Sequence, residues 1–336
     1  LIYHFDIRDD VLGFLPYIIP GLIYPKERWV SMAKYLAKRL GQSLIAVLGI
    51  TLVVFLVLNV AGDPVQLMLP PSASQADIEA MREAMGFNDP IIVQFGRFLK
   101  GAVVGDFGMS YNYNEPAMAV VLERLPATLK LAGAALLISL IFGIPAGIIS
   151  AIKRNSKTDA VIRSISLLGQ CIPAFWLGIM LIMIFSVKLR WLPTSGNDSW
   201  KSIIMPAFTL GVFTAATITR LLRSNMLEIM TKEYIDVAKA KGLGGYMIVM
   251  KHAFKNALSS ILTVLGLQIA SLIGGAVITE TVFGWPGIGR LAVQSITNSD
   301  FMVVEAIVFI MAISFTIINL VVDILYCIIN PRIKMQ

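Results

Sequence analysis

The chain has 336 residues, 57% of them hydrophobic and only 15% charged, with 28 basic residues against 21 acidic ones and a formal net charge of +7. Soluble domains carry about 25% charged residues, and a mean hydropathy of +0.77 leaves this chain too apolar to keep its surface in water. The composition excludes a disordered protein, a nucleic-acid-binding module and most soluble enzymes, and it indicates an all-α protein that crosses a membrane several times.

Residues 1–31 read as an N-terminal extension. Within it, 11–24 (VLGFLPYIIPGLIY) is apolar but short and broken by Pro16 and Pro20, which suits an interfacial segment better than a span. Asp6, Asp9 and Asp10 stand where a signal peptide would be basic, and Met32 makes a natural start for the pattern that follows. Six stretches are then apolar over the ~20 residues a membrane helix needs: 40–60, 128–151, 165–187, 202–222, 258–279 and 302–329. Pro145, Pro173 and Pro206 fall in or near these spans, where packed neighbours can satisfy the freed backbone groups. The expected organisation is the extension 1–31, a first span with a long loop region at 32–123, a membrane core at 124–329 with a projecting loop at 223–257, and a tail at 330–336.

Basic residues give the orientation. Lys153, Arg154, Lys157 and Arg163 crowd the loop 152–164, and Arg220, Arg223, Lys232, Lys239, Lys241, Lys251 and Lys255 lie in 220–256. Lys34, Lys38 and Arg39 precede the first span, while Arg332 and Lys334 follow the last. The loop 61–127 is instead rich in acids, among them Asp63, Asp77, Glu79, Glu83, Asp89, Asp106, Glu115 and Glu123. Both ends and both basic loops therefore read as cytoplasmic, and the positive charge is a topology signal rather than a nucleic-acid footprint.

No P-loop occurs, and neither do H-E-x-x-H, C-x-x-C or G-x-S-x-G. Cys171 and Cys327 sit in apolar runs, unsuited to a disulfide or thiolate metal site. The glycines of GWPGIG at 284–289 are interrupted by Trp285 and Pro286 and fall on the outer side, which does not suit a phosphate cradle. No catalytic residue, metal set or bound cofactor is expected in this chain. Glu305 and Asp323 lie in the last apolar run, with Asn319 one turn from Asp323. They read either as a substrate or proton site or as boundary residues whose side chains reach water. Phe175, Trp176, Met180 and Met183 read as packing, and Pro173 as packing or a polar gap.

The stretch 233–258 (EYIDVAKAKGLGGYMIVMKHAFKNAL) is the most informative. Residues 227–241 lack Gly and Pro and suit one helix that Gly242 terminates. A second helical pattern follows Gly245, with Met247, Met250, Phe254 and Ala257 at helical spacing. Two short helices joined at a glycine would form a projecting knob; the plainer alternative is a solvated basic loop that only sets topology.

Here the chain resembles the inner-membrane permease subunits of binding-protein-dependent ABC importers. Their signature is an acid, two small residues, three further residues and Gly, places filled here by Asp236, Val237, Ala238 and Gly242. The dipeptide/oligopeptide/nickel subfamily, which includes glutathione permeases, is more similar still. Glu233, Tyr234, Ala238, Ala240, Lys241 and Gly242 match its first half, and His252, Ala253, Asn256 and Ala257 its second. The resemblance runs from Met32 through YLAKRL (35–40), GDP (62–64), GDFGMS (105–110), LPATLKL (125–131), IPAFWLG (172–178), WLPTSG (191–196), ETVFGWPGIGRL (280–291) and NLVVDILYCIINPR (319–332). Val237 in place of a small residue, Gly244 and Gly245 in place of polar helix starters, and Ser260 in place of a common proline depart from the pattern.

The resemblance implies a type I importer transmembrane domain of six helices in a bacterial or archaeal plasma membrane, both termini cytoplasmic. It implies no ATP hydrolysis by this chain: ATP and Mg would bind two separate ATPase subunits. Glu233, Tyr234, Asp236, Ala238, Ala240, Lys241, Gly242, His252 and Asn256 would form the loop that couples to them. The other implied partners are a second homologous permease, an extracytoplasmic solute-binding protein and membrane lipid. Glu280, Phe283, Gly284, Trp285, Pro286, Gly287 and Gly289 would form an outer gating or docking loop; its Gly and Pro residues suit a tight re-entrant or plugging turn, with Phe283 and Trp285 as interfacial anchors. The implied solute is a di- or oligopeptide or glutathione. A nickel or metal-chelate permease, or a secondary transporter working alone through midplane acid–base pairs, are the competing readings.

Overall fold

Backbone polar groups in hydrocarbon must bond within their own segment, and this chain meets that demand with helix. A computed structural model describes residues 26–61 and 72–329, so the expectations for 11–24, 62–64 and 330–336 fall outside the described residues. In chain order the helices are α1 (Lys26–Ala61), α2 (Gln75–Met85), α3 (Ile91–Val104), α4 (Ala117–Ile152), α5 (Lys157–Cys171) and α6 (Ala174–Leu181). Then come α7 (Ile204–Met230), α8 (Glu233–Ala240), α9 (Lys255–Val282), α10 (Ile288–Thr297) and α11 (Phe301–Ile329). Two π-helical stretches, Ile182–Lys188 and Ile248–Phe254, extend α6 and lead into α9.

Among the described residues four helical stretches are long and apolar enough to cross a membrane: Ala117–Ile152, Trp200–Met230, Val264–Val282 and Phe301–Val322. α1 contributes a shorter apolar stretch, Gly41–Val57. The expected span at 165–187 is not one straight helix. α5 and α6 with its π extension meet at a bend of 104°. Its cause is local: a residue before proline is pushed out of the helical region, and Ile172 has ψ 124° ahead of Pro173. Ser260, by contrast, lies inside a helix that runs unbroken from Lys255 to Val282.

α4 and α7 form the most extensive helix pair. They approach closely because Gly143 and Gly147 stand one turn apart: a Cβ at Gly143 would lie 2.9 Å from Ala215 O, and one at Gly147 2.9 Å from Leu222 Cβ. Thr219 Oγ1 donates to Gly143 O at 3.2 Å and Ser139 Oγ to Gly211 O at 2.9 Å, giving the seam polar ties as well. α9 packs on the same pair through Leu131, Ala135, Leu210, Leu272 and Ala276. Outward positions such as Leu137, Ile141, Phe142, Ile165 and Leu168 expose large apolar side chains, as a lipid-facing surface requires.

Candidate functional site

Between α7 and α9 the chain builds a compact knob. The single helix expected over 227–241 is broken. α7 ends at Met230, Thr231 and Lys232 form a turn, and α8 begins at Glu233. Thr231 Oγ1 donates to Glu228 O at 2.7 Å, a local bond that competes with helix continuation. The turn lets α8 fold back, so that buried Ile235 and Ala238 meet Ile229, Met230, Leu243 and Ile248. α8 stops where the sequence indicates. Gly242 is left-handed at φ 77°, its N–H donates to Lys239 O at 2.9 Å, and Leu243 N–H donates to Ala238 O at 3.2 Å. Nothing lies within 4 Å of where its Cβ would be, so backbone conformation alone selects glycine there.

The second element is not a short separate helix. From Gly245 the chain passes through the π stretch directly into α9, so the knob is rooted in a membrane-length rod. Gly244 begins it with extended backbone (φ −63°, ψ 148°), and with no polar side chain at this position the helix start has no side-chain cap.

The matched residues divide by role. Ala238, Ala253 and Ala257 are buried and let the helices close on one another. Glu233, Tyr234, Asp236, Ala240 and Lys241 are exposed. Lys239 pairs with Asp236 at 2.8 Å, an exposed (i, i+3) bridge worth little by itself. Asn256 Nδ2 donates to His252 O at 2.6 Å and to the Tyr234 hydroxyl at 3.4 Å, tying α8 to the root of α9. Tyr246, 81% exposed, and Met247 add an apolar tip beside them. Sequence reasoning passed over Tyr246, although an aromatic beside Gly244-Gly245 in a polar loop was a readable signal.

A buried carboxylate at the base of this region also escaped the sequence reading. Asp159, with no exposed surface, accepts from Ser150 Oγ at 2.5 Å, Asn155 N–H at 3.0 Å, and Arg223 Nε and a terminal nitrogen at 2.8 Å each. It thereby joins the last turn of α4, the start of α5 and the final third of α7. Ser156 caps α5 by accepting from Asp159 N–H, so Ser156-Lys157-Thr158-Asp159 carried a capping signature ahead of an apolar run.

At the opposite end of the bundle, 280–289 corrects an expectation. Phe283 and Trp285 are not interfacial anchors: they are 2% and 0% exposed within this chain. Trp285 Nε1 donates to Ala127 O at 2.9 Å, and buried Glu280 accepts from Thr128 Oγ1 at 2.7 Å and Arg290 N–H at 3.0 Å. Thr128 Oγ1 also accepts from Ile288 N–H at 2.8 Å, and Gly196 N–H donates to Phe283 O at 3.2 Å. Gly284 is left-handed at φ 59°, Pro286 is half-buried, and side chains at Gly287 or Gly289 would strike Glu280 and Val277 respectively. The stretches LPATLKL, WLPTSG and ETVFGWPGIGRL thus converge in one packed plug. Beside it, Asp300 accepts from Ser110 Oγ at 2.5 Å, which explains the end of GDFGMS. Burial, with Asp300 and Glu305 nearby, pushes the Tyr111 hydroxyl up to about 12, so it stays neutral.

Glu305 lines a cavity of about 450 Å³ with Phe55, Arg97, Phe98, Lys100 and Phe107. The side chain of Asp323 lies outside the described residues. Phe175, Trp176 and Met183 are about half exposed rather than packed within the chain. No group of three or more His, Cys, Asp or Glu among the described residues is placed to hold a metal ion.

Comparison with known proteins completes the picture. The profile of the family described as "Binding-protein-dependent transport system inner membrane component" matches residues 143–335, and that of the corresponding N-terminal component matches 32–132. The glutathione transport system permease protein GsiC of Escherichia coli (strain K12) is 39% identical over 304 residues, covering 90% of this chain and 99% of that one. The protein of the same description from Shigella boydii serotype 4 (strain Sb227) is 38% identical over the same coverage. Among solved structures, an inward-facing conformation of the MetNI methionine ABC transporter aligns with a TM-score of 0.56 at 20% identity, over 63% of this chain and 97% of that one. At that identity the likeness shows a shared fold.

Proposed function

Because this chain belongs to the binding-protein-dependent transport system inner membrane components, we propose that it is one permease of an ATP-driven importer in the plasma membrane, forming half of a path for di- or oligopeptides or glutathione. The α8 knob carries this reading. It is small, packed against the end of α7 and hydrogen-bonded to the root of α9, so a force on its exposed face is transmitted to two membrane helices. Separate ATPase subunits supply ATP and Mg; Glu233, Asp236, Lys239 and Lys241 offer them charge, and Tyr234 and Tyr246 offer aromatic anchors of the kind that dominate interfaces. Closure of two ATPase subunits rocks this chain against a second, homologous permease, after an external solute-binding protein has delivered its cargo. In this reading α8 and both termini face the cytoplasm. The peptide class rests on the 39% identity along nearly the full length of a glutathione permease.

The test is uptake of labelled glutathione or dipeptide into vesicles holding the whole complex. ATP-dependent uptake without a proton gradient is the expected result; uptake driven by the gradient alone overturns the reading. A second expectation concerns the lever. Gly242→Val forces a branched side chain into a left-handed position, a strain of about 1–2 kcal/mol, while every membrane helix stays intact. Membrane insertion should persist, and ATPase affinity should fall about fivefold or more, in step with uptake. Glu233→Lys and Asp236→Lys should act alike through charge. Normal ATPase binding with lost transport would show that α8 is not the coupling element.

A further inference from the structure

The cleft between α5 and α7 has a charge pattern that the coupling knob does not use. Its volume is about 550 Å³, and Arg163, Gln170, Thr217, Arg220, Arg223 and Ser224 supply its polar lining. Every charged residue in that lining is arginine. Among the described residues one carboxylate answers them: Asp159, buried behind the cleft, 2.8 Å from Arg223 and 3.5 Å from Arg163. Three guanidinium groups against one carboxylate leave two positive charges in excess.

Arg220 is held by neutral groups. It donates to Gln170 Oε1, whose Nε2 donates to Thr217 Oγ1 at 3.1 Å, and that hydroxyl donates to Phe213 O at 3.0 Å. The relay fixes the guanidinium without neutralising it. Excess charge on helices of this apolarity is unfavourable against lipid tails, and neighbouring outward positions on α5, Ile165 and Leu168, are apolar. The polar lane also runs past Arg220 to Gln170, two residues from the bend at Ile172.

We infer that the α5–α7 cleft is a carboxylate-binding stretch of the solute path, with Arg220 as the residue that touches the carboxylate of an anionic peptide. The inference rests on the importer reading above and adds the chemistry of the path. A planar, permanently charged fork suits a carboxylate passing on to water. Arg163 and Arg223, anchored on Asp159, extend the positive field toward the α8 end of the bundle.

The experiment uses the whole complex in phosphatidylcholine vesicles with and without phosphatidylglycerol, with labelled glutathione as probe, and reads uptake per ATP hydrolysed. Arg220→Gln should lower that ratio about tenfold, the effect of losing one charge-assisted hydrogen bond. The external concentration giving half-maximal uptake, governed by the external solute-binding protein (the capture protein), should stay within twofold. Arg220→Lys, which keeps the charge, should recover at least threefold. An unchanged ratio in Arg220→Gln, or an equal loss in Arg220→Lys, overturns the inference while the importer reading stands. A wild-type ratio that falls when phosphatidylglycerol is omitted, with Arg220→Gln indifferent to it, assigns the site to a lipid phosphate and also overturns it. Wild-type vesicles that take up no glutathione or dipeptide with ATP overturn the importer reading, and this inference with it.

Discussion

Asp159→Ala is expected to destabilise the protein by about 3–5 kcal/mol, because it removes one partner of a buried ion pair and leaves the other charge uncompensated. The carboxylate has no exposed surface, and Arg223 is only 19% exposed. Without Asp159, Arg223 would share one cleft with Arg220 on its own helix and Arg163 on α5, with Ser150 and Asn155 losing their acceptor as well. The thermal midpoint of the detergent-solubilised protein should drop by about 10 °C. Asp159→Asn preserves the shape but not the charge and should fall between the two. Adding Arg223→Met to Asp159→Leu should recover part of the loss, since both charges then leave together while Ser150 and Asn155 stay unpaired. A loss below about 1 kcal/mol for Asp159→Ala would mean that solvent satisfies Arg223 and that the brace contributes no more than a surface pair. Because Arg223 precedes α8 by ten residues on the chain, loosening this contact should also weaken ATPase docking.

This contact shows where sequence reasoning stopped. The four basic residues of the loop 152–164 report orientation, whereas its single acid, Asp159, has no local pattern that announces a partner. Half of the contact was legible: Ser156 three residues before Asp159 marks a helix start. The other half, Arg223, lies 64 residues away, and no local pattern links them. The same division holds elsewhere. Gly242 ended its helix as expected, since a left-handed cap is a local matter. The break at Thr231 was missed because residues 227–241 have no breaker; tertiary burial of Ile235 and Ala238 decided it. Apolarity located the membrane helices, yet it hid the bend at Ile172, although the proline beside it was visible. Phe283 and Trp285 were misplaced for a related reason. The Gly and Pro residues suggest a plugging turn, but an aromatic beside them suits a membrane interface by composition, and only the partners Ala127 and Thr128, more than 150 residues earlier, reveal that the rings are buried.

Trp285→Ala should therefore act on the fold before it acts on any docked partner. The indole has no exposed surface, packs with Leu131, Ala135 and Leu272, and donates to Ala127 O at 2.9 Å. Truncation of a buried Trp leaves a cavity and costs about 3–5 kcal/mol. Trp285→Phe keeps most of the volume and gives up one hydrogen bond, about 1 kcal/mol. The two variants separate a packing role from a docking one. A packing role predicts a large fall in thermal midpoint for the Ala variant and near-normal stimulation of ATP hydrolysis by loaded capture protein for the Phe variant. Gly287→Ala supplies an independent check, because its methyl would enter the space of the Glu280 carboxylate, which already holds Thr128 and Arg290. It should destabilise the same plug without touching the tryptophan. If Trp285→Ala keeps its midpoint and loses stimulation, the ring acts at a surface reached by the capture protein, and the buried plug is not how this end of the bundle is held together.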